Sequence, residues 1–201
     1  MDELSPEYHK ALEEARAHHA SSKTYSGKFL RPHAPFIREL ICRLRAGSVL
    51  DYGCGKGAQY TWVSHGGDAS IPEGQTIEHY WGVKVTKYDP AYPPFALEPV
   101  GKFDLVICTH VLGSIPIADL PVIVRRIFNY AREAVYFAEK IGEVRKQVFS
   151  EPDKFPRNWN AEIWARFLST FAGEFPEIEA HLATRTATDN GIQVKRVRLW
   201  P

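Results

Sequence analysis

The ten residues Ser48–Gly57 constrain the fold more than any other part of the chain. The first five form a short, partly β-branched apolar run that is typical of a buried parallel strand. Three glycines at alternate positions follow, Gly53, Gly55 and Gly57, and residues 58–63 are then compatible with a helix. A strand that turns through glycines into a helix exposes backbone N–H groups and admits a ligand without meeting a Cβ. The stretch therefore predicts a ligand-binding strand–turn–helix unit; the alternative is a plain tight turn.

Asp51, two positions before the first glycine, makes the pattern more specific. The stretch resembles motif I of the class I (seven-stranded) S-adenosylmethionine-dependent methyltransferases, written V-L-D-x-G-x-G-x-G. The resemblance implies a Rossmann-like doubly wound α/β fold, mostly parallel with a C-terminal antiparallel hairpin, and S-adenosyl-L-methionine as cofactor. It also implies cofactor contacts from Asp51, Tyr52 and the three glycines. Together with residues 88–94, the stretch looks like small methyltransferases of bacteria and their phages.

Composition limits the alternatives. The chain has 201 residues, of which 44% are hydrophobic and 24% charged, so we expect one domain over 1–201 with an N-terminal helical cap at 1–46. The formal net charge of +1 provides no global field that would recruit nucleic acid or a membrane. Three widely spaced cysteines predict neither a disulfide framework nor a metal site, and no membrane span or signal peptide is evident. These features predict a cytoplasmic protein without a bound metal; its oligomeric state stays open.

The N-terminal part predicts two helices, over residues 2–20 and Pro35–Arg45, the second ended by Gly47. In class I methyltransferases the helices before motif I commonly lie over the cofactor. By that resemblance Tyr25, Lys28 and Arg31 are expected to reach the cofactor carboxylate. The alternative is an exposed polar connector.

A second strand, roughly Gly82–Tyr88, ends at Asp89-Pro90. In nucleotide-binding α/β folds, an acidic residue at this strand tip accepts hydrogen bonds from the ribose hydroxyls. Asp89 follows Asp51 by 38 positions, whereas the dinucleotide pattern expects about 20, and an irregular loop over 66–75 would account for the excess. The alternative role for Asp89 is to cap a turn before Pro90.

The stretch between Asp89 and the next clear strand, Phe103–Thr109, is short and rich in proline. Most class I methyltransferases place a helix and a third strand here, and there is hardly room for both. We therefore expect the third strand to be reduced or missing. Tyr88, Tyr92 or Phe95 would then stack on the adenine.

Residues 109–116 resemble the family segment Val-Leu-Glu-His-Ile-Pro, which lies close to the transferred methyl group. Gly113-Ser114 stands where the family has Glu-His, so an acid–base role at that pair is not carried over. Thr109 and His110 are expected to contact the cofactor. His110 is also the candidate general base, because the imidazole pKa suits that work; the alternative is a hydrogen-bonded structural histidine.

The C-terminal part predicts an amphipathic helix from Leu120, a strand over Ala134–Ala138, a polar segment over 140–157 and a helix opened by Asn160. Two late strands, 178–183 and 192–199, are joined by a turn at 189–191. Acceptor-binding residues should lie beyond the carboxyl ends of the strands. The candidates are Tyr25, Tyr60, His110, Ser114, Glu139 and Trp159, with the aromatic residues of 155–164 as a lid or, for Trp164, as core.

Methyl transfer is an in-line displacement on an activated cofactor, so positioning and exclusion of water matter more than acid–base catalysis. The leading interpretation is methyl transfer to a small-molecule acceptor. Three alternatives stay open. An enzyme of the same fold would transfer another alkyl group from the cofactor or cyclise its methionine moiety. A nucleic-acid methyltransferase and a cofactor-binding regulatory subunit are the others.

Overall fold

The computed structural model describes residues 3–20, 25–66, 71–141, 154–156, 158–188 and 191–199. Within these ranges, the α-helices are α1 (Pro6–Ala20), α2 (Ala34–Leu44), α3 (Ala58–Thr61), α4 (Ile77–Trp81), α5 (Leu120–Tyr130) and α6 (Ala161–Glu174). The strands are β1 (Val49–Tyr52), β2 (Val85–Tyr88), β3 (Phe103–Thr109), β4 (Ala131–Lys140), β5 (Glu179–Thr188) and β6 (Gly191–Leu199). Short 3-10 helices cover Lys28–His33, Pro93–Phe95 and Leu112–Ser114.

The strands form one sheet in the order β2-β1-β3-β4-β5-β6. All neighbouring pairs are parallel except β5 and β6, which are antiparallel. The predicted doubly wound sheet with a C-terminal antiparallel hairpin is therefore confirmed. Residues 89–102, all of them described, contain one 3-10 helix and no strand, which confirms the loss of the third strand.

Helices cover both faces of the sheet, because successive strand residues point to opposite sides. Leu50, Val106 and Val135 pack in the core beneath α5 and α6. Their neighbours Val49, Leu105 and Ala134 pack in the core beneath α2 and α4. The sheet is thus the middle of three layers, and α2, part of the predicted N-terminal cap segment, belongs to one of the outer layers.

Several predicted boundaries are corrected by local backbone geometry. Helix α2 ends because Arg45 adopts a left-handed conformation (φ 53°) and Ala46 N–H bonds back to Ile41, so Gly47 is not the stop. Residues 77–81, for which the sequence predicted neither a helix nor a strand, form α4. Thr76 caps this helix and Gly82 ends it, so β2 begins at Val85 instead of Gly82.

Other elements differ from expectation in length. The predicted start of α1 moves to Pro6, where the Ser5 hydroxyl accepts the Tyr8 N–H. Helix α3 stops at Thr61 rather than at residue 63, and β4 and β5 are longer than predicted. Residues 189 and 190 of the predicted hairpin turn, most of the 140–157 segment, and the Lys28 side chain lie outside the described residues.

Candidate functional site

The direction of strand order reverses between β1 and β3, because the chain runs outward from β1 to β2 and then returns to β3. Open α/β sheets bind ligands in the crevice outside the carboxyl ends of the strands at such a switch point. The glycine turn lies at this point, directly after β1. Gly53, Gly55 and Gly57 have φ of 83°, 61° and 63°, which only glycine adopts without strain.

Asp51, at the end of β1, has one carboxylate oxygen that is paired and one that is not. Its Oδ2 accepts hydrogen bonds from the Tyr60 hydroxyl (2.7 Å) and from Gln59 Nε2 (3.4 Å). Asp51 Oδ1 and Gln59 Oε1 are buried and have no hydrogen-bond partner among the described residues. A buried acceptor without a donor is costly, so a hydrogen-bond donor placed beside these two oxygens would be stabilising.

Burial raises the pKa of Asp51 to about 7, and the nearby Asp89 carboxylate adds to the effect. A buried carboxylate with such a pKa binds a cationic group favourably, since the cation supplies the charge that water no longer compensates. The raised pKa of Asp51 and the unpaired Oδ1 both indicate that a cationic donor would be stabilised beside this carboxylate.

Asp89, at the tip of β2, binds the glycine turn itself. Its Oδ2 accepts the Gly55 N–H and its Oδ1 accepts the Ala91 N–H, both at 2.9 Å. The second contact is the turn-capping role that was the alternative to ribose binding. An ionised carboxylate has about four lone-pair sites, and the backbone N–H groups of Gly55, Ala91 and Tyr92 do not fill all of them. Desolvation raises the pKa of Asp89, whereas the backbone N–H groups and His19 oppose that rise.

The segment that precedes α2 lies against the glycine turn. Tyr25 C=O accepts the Lys56 N–H (2.8 Å) and Ser26 C=O accepts the Ala58 N–H (3.1 Å). A Cβ at Gly55 would stand 2.3 Å from the Tyr25 carbonyl oxygen. Gly55 thus allows the protein's own main chain to approach, and Tyr25 lies beside the predicted cofactor turn.

His19, at the end of α1, lies in an aromatic stack above Asp89. Its ring centroid is 4.9 Å from that of Tyr25 and 5.2 Å from that of Tyr92. His19 Nε2 is 3.7 Å from Asp89 Oδ1. Burial lowers the pKa of His19. Tyr92, one of the three expected adenine-stacking residues, therefore packs on a histidine of the N-terminal helix.

The other two expected adenine-stacking residues are close by. Phe95 packs edge-on against Tyr92 and lies next to Gly57, where a Cβ would be 2.9 Å from the Phe95 ring. Tyr88 is buried and packs edge-on against Tyr52, with ring centroids 5.1 Å apart, inside the core under α5. Tyr52 and Tyr88 therefore support the site from within the core.

The loop after β3 forms the second side of the crevice. Thr109 ends the strand, and His110 follows with a left-handed backbone (φ 60°) held by its N–H bond to Ala138 C=O at 2.7 Å. Glu139, buried near the end of β4, accepts the Leu112 N–H at 2.9 Å. Ser114 is half-buried in the short 3-10 helix of this loop.

Some predicted site residues lie away from the crevice. Tyr60 is buried behind Asp51, so it supports the carboxylate instead of forming an open wall. Trp159 packs against Trp164, which is 1% exposed, and this pair belongs to the core around α6. The Arg31 guanidinium lies 3.6 Å from the centre of the Trp62 ring.

Four residues at the site were missed by the sequence interpretation: His19, Gln59, His33 and Tyr136. Gln59 is the one with a local signal, because it lies in the first turn of the helix after the glycines. The other three reach the site only through packing between distant segments. His33 contacts Tyr136 by a hydrogen bond that joins residues 103 positions apart.

No group of three or more His, Cys, Asp or Glu side chains among the described residues has an arrangement that holds a metal ion. No helix within the described ranges is long and apolar enough to cross a membrane.

Comparison with known proteins bears on this geometry. Residues 16–156, well over half of the chain, match the protein family described as "Methyltransferase domain". The chain belongs to this family. No curated protein matches it significantly.

The methyltransferase domain also matches a solved structure described as a "putative O-methyltransferase" from Klebsiella pneumoniae. The alignment covers 100% of this chain and 92% of that one, with 12% identity and a TM-score of 0.37. That similarity is too low to carry an argument. The methyltransferase assignment therefore depends on the family match, and the fold assignment on the sheet topology.

Proposed function

We propose that the methyltransferase domain uses S-adenosyl-L-methionine and transfers its methyl group to a small-molecule acceptor. The observation that carries the proposal is the pair of buried acceptors without donors, Asp51 Oδ1 and Gln59 Oε1, beside the glycine turn at the switch point. The cofactor has an ammonium group and two ribose hydroxyls, which are donors of the kind that these atoms lack. Membership of a methyltransferase family supports the same cofactor.

Asp51 and Gln59 would hold the ammonium end of the cofactor, and the remaining lone pairs of Asp89 are available to the ribose. When bound, the cofactor's sulfonium supplies a methyl carbon that is already activated for displacement. The chain's own residues then have to orient the two reactants and exclude water. His110 lies at the end of β3, the neighbouring strand, where it is available to take a proton from the acceptor.

The glycine turn after β1 and the loop after β3 pack directly against each other. A Cβ at Gly53 would lie 2.3 Å from Val111 Cγ2, so the glycine turn and the loop carrying His110 are in direct contact. This contact supports a single site that joins both halves of the reaction.

Surface charge favours a small-molecule acceptor over a nucleic acid. The net charge is +1, and several exposed arginines are matched by carboxylates. The pairs are Arg43 with Glu179, Arg125 with Glu174, Arg132 with Asp104 and Arg196 with Glu39. Nucleic-acid binding depends on cations that are free to neutralise phosphates, so these pairs weaken that alternative.

Calorimetry and thermal unfolding with S-adenosylmethionine and S-adenosylhomocysteine test the cofactor assignment. At one hundred times the dissociation constant, binding adds about 2.7 kcal/mol of stability, which corresponds to a rise of about 5–10 °C in Tm. Asp51→Asn should weaken binding, whereas Glu174→Gln, an exposed carboxylate far from the turn, should not. No heat and no stabilisation at millimolar ligand would refute the proposal.

Methyl transfer is then tested with cofactor labelled at the methyl carbon and a small-molecule extract of cells as the acceptor source. Label in a small-molecule product together with S-adenosylhomocysteine supports the proposal. Methylthioadenosine as the product would indicate alkyl transfer or cyclisation instead. Label in nucleic acid, or cofactor binding without turnover, would favour the other two alternatives.

A further inference from the structure

A cluster of aromatic and titratable side chains includes His110 and reaches into the core on the face of the sheet covered by α2, where His33 and Tyr136 are fully buried. It consists of His33, Tyr136, His110 and Phe29, and we call it the histidine cluster. The His33 ring centroid lies 5.7 Å from that of His110 and 5.9 Å from that of Tyr136. The Phe29 ring also packs against His110, with ring centroids 5.4 Å apart. His33 thus lies between the strand β4 and the candidate base.

His33 is the most enclosed member of the cluster. It is 0% exposed, and its Nδ1 is 3.0 Å from the Tyr136 hydroxyl. Its other nitrogen, Nε2, is buried and has no hydrogen-bond partner in the described part of the chain. A buried polar nitrogen without a partner is costly, and in native proteins it commonly has a functional reason.

The Tyr136 hydroxyl can act as donor or acceptor, and this determines what His33 Nε2 offers. If the hydroxyl accepts from Nδ1–H, Nε2 has a free lone pair; if it donates to Nδ1, Nε2 carries the proton. Burial raises the pKa of the Tyr136 hydroxyl, so it stays protonated and both arrangements remain accessible. The pair therefore accommodates either tautomer of His33 with both rings in the same positions.

The backbone of His110 gives independent support. A left-handed conformation in a non-glycine residue costs about 1–3 kcal/mol and persists where the surrounding structure enforces it, often at active sites. Here the His110 N–H bond to Ala138 C=O holds the conformation and sets the ring beside His33. The strained backbone of His110 therefore fixes the position of its ring.

We infer that His33 and Tyr136 are positioning residues for His110, which takes the proton of the acceptor's nucleophile during methyl transfer. The inference rests on the proposed function. An acceptor O–H or N–H attacks the methyl carbon, the new O–C or N–C bond forms and the S–C bond breaks. The sulfonium becomes a neutral thioether, and the proton passes to the half-buried ring of His110.

The charges around the cluster suit this role. Burial, helped by Arg185 on β5, lowers the pKa of His33 to about 4. His33 is therefore neutral at physiological pH and adds no positive charge next to His110. Tyr136 on β4 and Phe29 in the 3-10 helix before α2 are also uncharged. Two cations face the cluster: Arg185 of β5 lies near His33 and Phe29, and Arg196 of β6 acts on Tyr136.

The coupling is testable without an acceptor. Histidine labelled with ¹⁵N reports the tautomer and titration of each ring by NMR. Tyr136→Phe, which removes only the hydroxyl, should change the tautomer of His33 and shift the midpoint of His110 by about half a pH unit or more. Tyr130→Phe removes a tyrosine hydroxyl bonded to Glu98 instead and should leave both unchanged. Unchanged His33 and His110 titrations in folded Tyr136→Phe would overturn the inference.

The consequence for the reaction is tested with labelled cofactor and the cell extract as acceptor source. Tyr136→Phe and His33→Gln should lower the methyl-transfer rate about tenfold and shift its pH profile, with cofactor affinity within twofold of the wild type. A merely structural role would lower Tm without moving the pH profile, and that result overturns the inference. Absence of any transfer by the wild-type protein would refute the proposed function and, with it, the catalytic role of the histidine cluster. The NMR experiment would still decide whether Tyr136 and His33 influence the titration of His110.

Discussion

Replacing Asp89 with alanine removes the carboxylate that joins the glycine turn to the tip of β2. Two backbone N–H groups, of Gly55 and Ala91, lose their acceptor in an environment where Asp89 is only 9% exposed. Each unsatisfied buried N–H costs about 1–3 kcal/mol. The loss of a desolvated carboxylate offsets part of that cost, so we expect a net loss of about 2–4 kcal/mol.

For a chain of this size, that loss corresponds to a fall of about 4–16 °C in the Tm of the protein without ligand. Asp89→Asn keeps one acceptor oxygen and should cost about half as much. Cofactor affinity measured per folded molecule should also fall about tenfold, because the remaining lone pairs are those available to the ribose.

Asp104 provides a matched control. Its Oδ2 also accepts two backbone N–H groups, of Gly47 and Ser48, but it lies at the other end of β1 and is partly exposed. Asp104→Ala should lower Tm less, since water replaces the lost acceptor, and should leave cofactor affinity unchanged. If the Tm of Asp89→Ala without ligand stayed within about 1 °C of the wild type, the hydrogen bonds described here would not hold the turn.

Four further predictions follow from the structure. Because the pKa of Asp51 is about 7, affinity for the cofactor should rise about tenfold between pH 6 and pH 8, with proton release visible in calorimetry; Asp51→Asn should show no such rise. The pKa of His33 is about 4 in the fold against 6.5 unfolded, so the folded state binds fewer protons. Its contribution to stability, about 3 kcal/mol, should be complete above pH 6.5 and be lost as pH falls to 4; urea unfolding of wild type and His33→Gln at both ends of this range measures it. Gly27→Ala should destabilise the protein by about 1–2 kcal/mol more than Gly74→Ala, because both have positive φ but a Cβ at Gly27 would lie 1.9 Å from Gln59 Oε1, whereas the space at Gly74 is open; equal losses of Tm would contradict this. Methyl transfer should persist in a chelator, and activity lost to it and restored by one divalent ion would disprove that expectation.

The sequence alone determined the features that depend on neighbouring residues. The glycines after β1 predicted a sharp turn from a strand into a helix. The structure shows that turn with positive φ at all three glycines, a conformation that other residues adopt only with strain. The short spacing before Phe103 predicted the missing strand because too few residues remain to build one. Continuous apolar runs predicted strands buried on both faces of the sheet, as Phe103–Thr109 shows. Each of these signals is local, so tertiary contacts were not needed to read it.

Only the tertiary structure decided how the site is assembled. Asp89 accepts N–H groups from the glycine turn and from Ala91, and the bond to the turn depends on the distance between two strand ends. Arg45 and His110 have left-handed backbone conformations, which arginine and histidine rarely adopt and which the sequence therefore did not predict. The pairing of His33 with Tyr136 arises because α2 packs across β4, far along the chain. Such contacts are set by the packing of whole layers, whose free energy is shared among many residues and leaves no pattern in any one segment of the sequence.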